Sequence, residues 1–273
     1  MKWIYLLLTF TFLAACQQKK EQNSSDKPKE STSTQKEKVQ HGIETQEVDA
    51  ITEAHKSYDY YAGTIGLYGE DVLMEVHSND NTITGRYWYL KHGRQIQLSG
   101  TKSGKGNEWQ LQESVKNVVT GNMTLAVSGN ELTGQWYAPG KKSELQEVSL
   151  QKVYHTPDGP FQPNFETYTF EHTISVYNGE EDEQEEAEDD IKLVRIGDHV
   201  LFQYFVIGHN AHVGHINGLA KMVSKNKAIF KGEDGCELSI TFDGKKVSIM
   251  EEESCSYYRG MRAHFGGTLT KSK

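Results

Sequence analysis

Between residues 62 and 153 apolar side chains recur at every second position, the period at which one face of a strand meets a core. Val72, Met74 and Val76 alternate with Leu73, Glu75 and His77; Ile96 and Leu98 with Gln95 and Gln97; Trp109 and Leu111 with Gln110 and Gln112; Val148 and Leu150 with Ser149 and Gln151. The segments between them, such as Ser78-Asn79-Asp80-Asn81 and Ser128-Gly129-Asn130, have turn composition, because Gly and Asn accept positive φ at little steric cost. An apolar-Thr-Gly-polar-large unit occurs three times, at Ile83–Tyr87, Val119–Met123 and Leu132–Trp136. Gly within a strand marks a bulge or bend, and repeated bends curl a sheet onto itself. The pattern predicts an antiparallel meander forming a small barrel over residues 55–155.

A second strand-rich module is predicted over 161–273. Phe165 to Val176 reads as a strand. Val200, Phe202, Tyr204 and Val206 alternate with Leu201, Gln203, Phe205 and Ile207, apolar on both faces, which predicts a central strand. Leu238, Ile240 and Phe242, the turn Asp243-Gly244-Lys245-Lys246 and the returning Val247–Met250 form a hairpin signal. The fold class is therefore all-β, two antiparallel modules. In spacing, the first resembles the lipocalin and avidin class of up-and-down barrels.

Ahead of these modules, Lys2 precedes thirteen uncharged, mostly apolar residues, Trp3 to Ala15, too short a run to cross a bilayer and of the length of a signal-peptide core. It ends in Leu13-Ala14-Ala15-Cys16, which resembles the lipobox of bacterial lipoproteins. The resemblance implies a signal peptide over 1–15, acylation of Cys16, attachment to the membrane through the lipid and, with Gln17 next, an outer-membrane destination in a Gram-negative host. The alternatives are an uncleaved anchor or a free cysteine. Residues 16–54 are rich in Lys, Glu, Gln, Ser and Thr, too polar to offset chain entropy by burial. As flexible coil they span about 35 Å, a tether that holds the modules away from the lipid.

Net charge is −9, from 29 Lys and Arg against 38 Asp and Glu, which removes the electrostatic basis for nucleic-acid binding. The acidity is local: nine carboxylates fall within residues 180–190. The run has no internal glycine and so lacks the turn of an EF-hand loop; it is expected to be a solvated, self-repelling loop, the alternative being capture of cations or a basic partner.

With Cys16 lipidated, Cys236 and Cys255 remain, and in an oxidising compartment such a pair is expected to be bonded. In an antiparallel hairpin the two would oppose each other about a centre within Lys245–Lys246. Two reduced thiols are the alternative. The order apolar strand, Cys236, hairpin, Cys255, then Gly260-Met261-Arg262-Ala263-His264-Phe265 resembles a cysteine-bridged envelope β-module, some members of which are lysozyme-inhibitor-like. That resemblance implies a sugar-cleaving enzyme as partner, with Arg259, Arg262 and His264, beside Tyr257 and Tyr258, as candidate contacts. Ordinary surface cations are the alternative. From Ile191 onward, twelve Lys and Arg face eight Asp and Glu.

His209, His212 and His215 stand three residues apart. Three neutral imidazoles suit zinc and leave a fourth position for water, but on an extended chain His212 points away from the other two, and Gly208, Asn210 and Gly214 favour a loop. No Gly-x-Ser-x-Gly elbow, His-Glu-x-x-His, phosphate loop or dinucleotide fingerprint is present. The expectation is a lipid-anchored, non-catalytic binding or structural protein that uses no cofactor. A metal-dependent envelope hydrolase built on the three histidines is the alternative.

Overall fold

The computed structural model describes residues 56–272, apart from 67, 68, 104, 105 and 233; the signal segment, Cys16 and the tether lie outside the described residues. Eight strands follow one another as β1 (Tyr58–Ile65), β2 (Glu70–Asn79), β3 (Thr82–Tyr89), β4 (Gln95–Ser103), β5 (Glu108–Val115), β6 (Val118–Ser128), β7 (Glu131–Tyr137) and β8 (Gln146–Thr156). Each pairs antiparallel with its successor and β8 returns to β1, closing a barrel. The predicted alternation sets its inside: Val72, Met74, Val76, Leu98, Trp109, Leu111, Leu125 and Leu150 all point inward and fill it. Two of the repeated glycines are where they must be. A Cβ on Gly85 would run into the Glu75 carbonyl oxygen, and one on Gly134 into that of Thr124, so strands close against each other there only without a side chain. Beside the third, Gly121, the β5–β6 register shifts between Glu113 and Ser114, as a bulge requires.

The second module is also a closed barrel: β9 (Phe165–Tyr177), β10 (Asp182–Ile196), β11 (His199–Gly208), β12 (His212–Ser224), β13 (Lys227–Lys231), β14 (Glu237–Asp243), β15 (Lys246–Glu253) and β16 (Gly266–Lys271). Ile191, Leu193, Val200, Phe202, Tyr204, Ile240 and Val247 lie in its core. Its closing seam is short, since β16 meets β9 only at Thr270–Thr169 and Lys271–Tyr168.

The acidic run is a strand rather than a loop. Only Glu180 and Glu181 belong to the turn, where the Asn178 side chain accepts both their N–H groups. From Asp182 the chain pairs residue by residue with β9. Ala187, Asp189, Ile191 and Leu193 continue one alternation into the core, so burial at the far end of β10 holds its charged half in register.

A third apolar cluster joins the barrels. Tyr60, Ala62, Leu73, Trp88 and Leu90 from the outside of the first pack with Val194, Ile196, Leu201 and Leu219 from the outside of the second, together with Phe161 of the connection and Phe165 at the start of β9. This is why β11 is apolar on both faces: one face fills its own barrel and Leu201 meets the other. The same holds for the aromatic run of β3, where Tyr87 lies inside the barrel and Trp88 packs against Phe165 at 6.0 Å between ring centroids.

Candidate functional site

In an up-and-down barrel every second connection emerges at the same end. At one end of the second barrel this gathers four connections: the acidic turn after β9, a 3-10 turn His209–Ala211, the connection from β13 to β14, and the long connection 254–265 between β15 and β16. Most of the candidate residues therefore lie at this one end of the barrel although they come from positions 180 to 264 of the chain.

The 254–265 connection is fastened at several points. Cys236 and Cys255 are bonded, with Cα atoms 4.5 Å apart. The hairpin pairs Asp243 with Lys246 and Ile240 with Ile249, so its turn centres one residue earlier than the cysteines alone imply; a register shift between Glu237 and Leu238 recovers part of the difference. Beyond the bridge, the Glu251 carboxylate accepts the Cys255 N–H at 2.8 Å and two bonds from the Arg259 guanidinium at 3.1 and 3.3 Å. Burial works to raise the Glu251 carboxyl, but the Arg259 bond and the Cys255 N–H outweigh it and hold the group below its ordinary range. Gly260 N–H reaches the Val213 carbonyl at 2.9 Å, Gly208 leaves the space that the Arg262 carbonyl occupies, and Ala263 and Phe265 are buried.

On this fixed base stand strongly exposed side chains. Tyr257 is 84% and Met261 87% accessible, and Arg262 and His264 are exposed beside them. Three of the sequence candidates thus divide: Arg262 and His264 face solvent, whereas Arg259 is spent on an internal ion pair that orders the loop. Met261 was not among the candidates. Its only signal in the sequence is its place between two arginines in a glycine-flanked segment, and the partnership of Arg259 with Glu251 left no signal, because an irregular connection has no period that would set the two side by side.

The histidines are not brought together. His209 Nδ1 accepts the Ser175 N–H at 2.9 Å and so caps the edge of β9. His212 packs over Gly260. His215 lies 3.1 Å from the Gln203 amide, and burial lowers its pKa against the opposing pull of Glu70 and Asp190. Among the described residues no group of three or more His, Cys, Asp or Glu side chains is arranged to hold a metal ion.

Elsewhere the polar geometry serves packing. Inside the first barrel the Tyr87 hydroxyl donates to Glu113. On its outer wall Glu75 takes Arg86 through both oxygens, at 2.7 and 3.1 Å, and the Tyr60 hydroxyl at 2.6 Å; Tyr60 in turn accepts the Phe161 N–H, tying the inter-barrel connection down. No protein-family model, curated protein or solved structure matches the chain.

Proposed function

We propose that the protein is a lipid-anchored envelope protein, borne at the outer membrane of a Gram-negative cell, which binds a protein partner without catalysis through the 254–265 connection. The lipobox and tether support the anchor. The observation that carries the binding role is the exposure of Tyr257 and Met261 on a connection whose base is bonded, ion-paired and buried. Tyr, Met and Arg are the residue types enriched at the centres of protein interfaces, and a pre-ordered loop loses little conformational freedom on binding. The interior of the first barrel is filled by its own side chains, which favours recognition on a surface over enclosure of a small ligand.

The partner chemistry that fits is an acidic, sugar-cleaving cleft. Arg262 is exposed and holds no ion pair among the described residues, so its guanidinium is free to meet a carboxylate in a charge-assisted bond. A turbidity assay against several lysozyme types tests this: the purified chain inhibits at least one of them, and the triple variant Y257A/M261A/R262A inhibits at least about tenfold less, since loss of hot-spot side chains costs more than about 1.4 kcal/mol. Absence of inhibition at high-micromolar protein overturns the enzyme-cleft partner. For the anchor, Cys16→Ala leaves unprocessed precursor without acyl label; normal maturation of that variant refutes it.

A further inference from the structure

The short seam of the second barrel leaves two strand edges open. If the ladder between β9 and β16 continued beyond Thr169–Thr270, Glu171 would face Thr268 and Thr173 would face Gly266. Among the described residues neither edge has a ladder partner over those positions, although the Gly266 carbonyl accepts the Tyr204 hydroxyl at 3.3 Å. The amides on this side of β9 are otherwise accounted for. Thr169 pairs with Thr270, the Ser175 N–H is capped by His209 Nδ1 and the Tyr177 N–H by Asn210 Oδ1; Glu171 and Thr173 lie between them, with the same parity and no cap.

The side chains report the same opening. Phe170 shares the parity of buried Tyr168 and should be inside the barrel, yet it is 45% exposed, stacked on His172 with centroids 5.4 Å apart. On the other bank Gly266, Gly267 and Thr268 are exposed, and a Cβ on Gly267 would meet nothing within 4 Å. A groove of about 560 Å³ lies over β14, β15 and β16, lined by Thr241, Ser248, Met250, Gly266 and Thr268 among others, so this bank of the seam is also uncovered on its far side.

We propose that this seam is a docking slot for an extended, basic peptide segment of a partner, which adds as a strand between β9 and β16. Unpaired N–H and C=O groups on a sheet edge are a template for another strand. The charge selects which strand. Glu171 is exposed on the bank itself, and across β9 from the slot register places exposed Glu188 opposite it and Glu186 two pairs further along β10. Alternate Lys or Arg side chains of the segment would meet these carboxylates, while the intervening apolar side chains cover Phe170. The slot is separate from the Tyr257–Met261 tip, so the two surfaces are tested apart.

The probe is a fluorescein-labelled synthetic peptide of alternating Lys and Val, titrated against the purified chain by anisotropy. Saturable binding is expected, weakened by salt. Three losses of at least about tenfold are expected: with a peptide N-methylated at alternate backbone positions, with an alternating Glu and Val peptide, and with the variant E171K/E186K/E188K, whose exposed substitutions leave the melting transition in place. The variant Y257A/M261A should bind the peptide as the parent does. Amide exchange should slow at Glu171, Thr173 and Thr268. Equal binding of the N-methylated peptide, or unchanged exchange at those three amides, overturns strand addition. No binding up to millimolar peptide overturns the slot itself, without bearing on the loop.

Discussion

Asp71 is a carboxyl at the junction of the barrels. It is 3% exposed; one oxygen accepts the Asn217 amide at 2.9 Å and the other is buried without a partner. Burial pushes its pKa up to about 7. An unfolded Asp releases its proton near pH 4, so between about pH 4 and pH 7 the folded chain binds the extra proton, and stability falls as pH rises through that window. The ceiling on this loss is roughly 4 kcal/mol. Asp71→Asn should match the parent near pH 4 and exceed it by up to that amount at pH 8, measured as urea unfolding at the two values. Identical pH dependence in both proteins would show that Asp71 ionises freely in the fold. Glu75 presents the opposite case, a buried carboxylate whose charge is compensated: Arg86→Ala strands it and should cost about 3 kcal/mol or more.

Among the elements, the β14–β15 hairpin and the connection behind it share one covalent tie, the Cys236–Cys255 bridge. Chain-entropy arguments assign about 3 kcal/mol to closing a loop of this length. Replacing both cysteines by serine should lower the unfolding free energy by about that amount, and should also weaken partner binding in protein that is still folded, because the exposed tip loses an anchor. An unchanged thermal midpoint would mean that the Arg259–Glu251 pair and the burial of Phe265 suffice. The acidic strand makes a related point about β10: its charged half has no apolar face of its own and is a strand because its other half is locked into a core.

Across the whole molecule, the apolar cluster between the barrels makes them one unit. Leu73 and Leu201 are fully buried there, one from each barrel. Truncating a buried leucine costs about 2–5 kcal/mol. The parent is expected to unfold in one calorimetric transition and L73A/L201A in two, one for each barrel. A single transition in the double variant would mean that the barrels stay coupled without this cluster, as the tie from Tyr60 to Phe161 could do.

What the sequence by itself determined is whatever depends on local periodicity. Alternation over 62–153 dictates strands because a sheet has a period of two, the glycine repeats dictate where strands bend, and the Cys236–Cys255 pairing follows from a hairpin visible between them. The Glu75–Arg86 pair was within reach for the same reason, since the two residues face each other across the hairpin that turns at Asp80–Asn81. What the tertiary structure decided involves contacts whose partners lie far apart in the chain, where no local pattern records the neighbour. Asp71 meets Asn217 across 146 positions. Arg259 is neutralised by Glu251, only eight positions away but across an irregular connection that has no period to read, and His209 is drawn off its two neighbours by the Ser175 N–H, 34 positions upstream. The acidic run is a strand and not the expected loop because its charge is a property of the segment, while its conformation is set by the core that the rest of its strand enters.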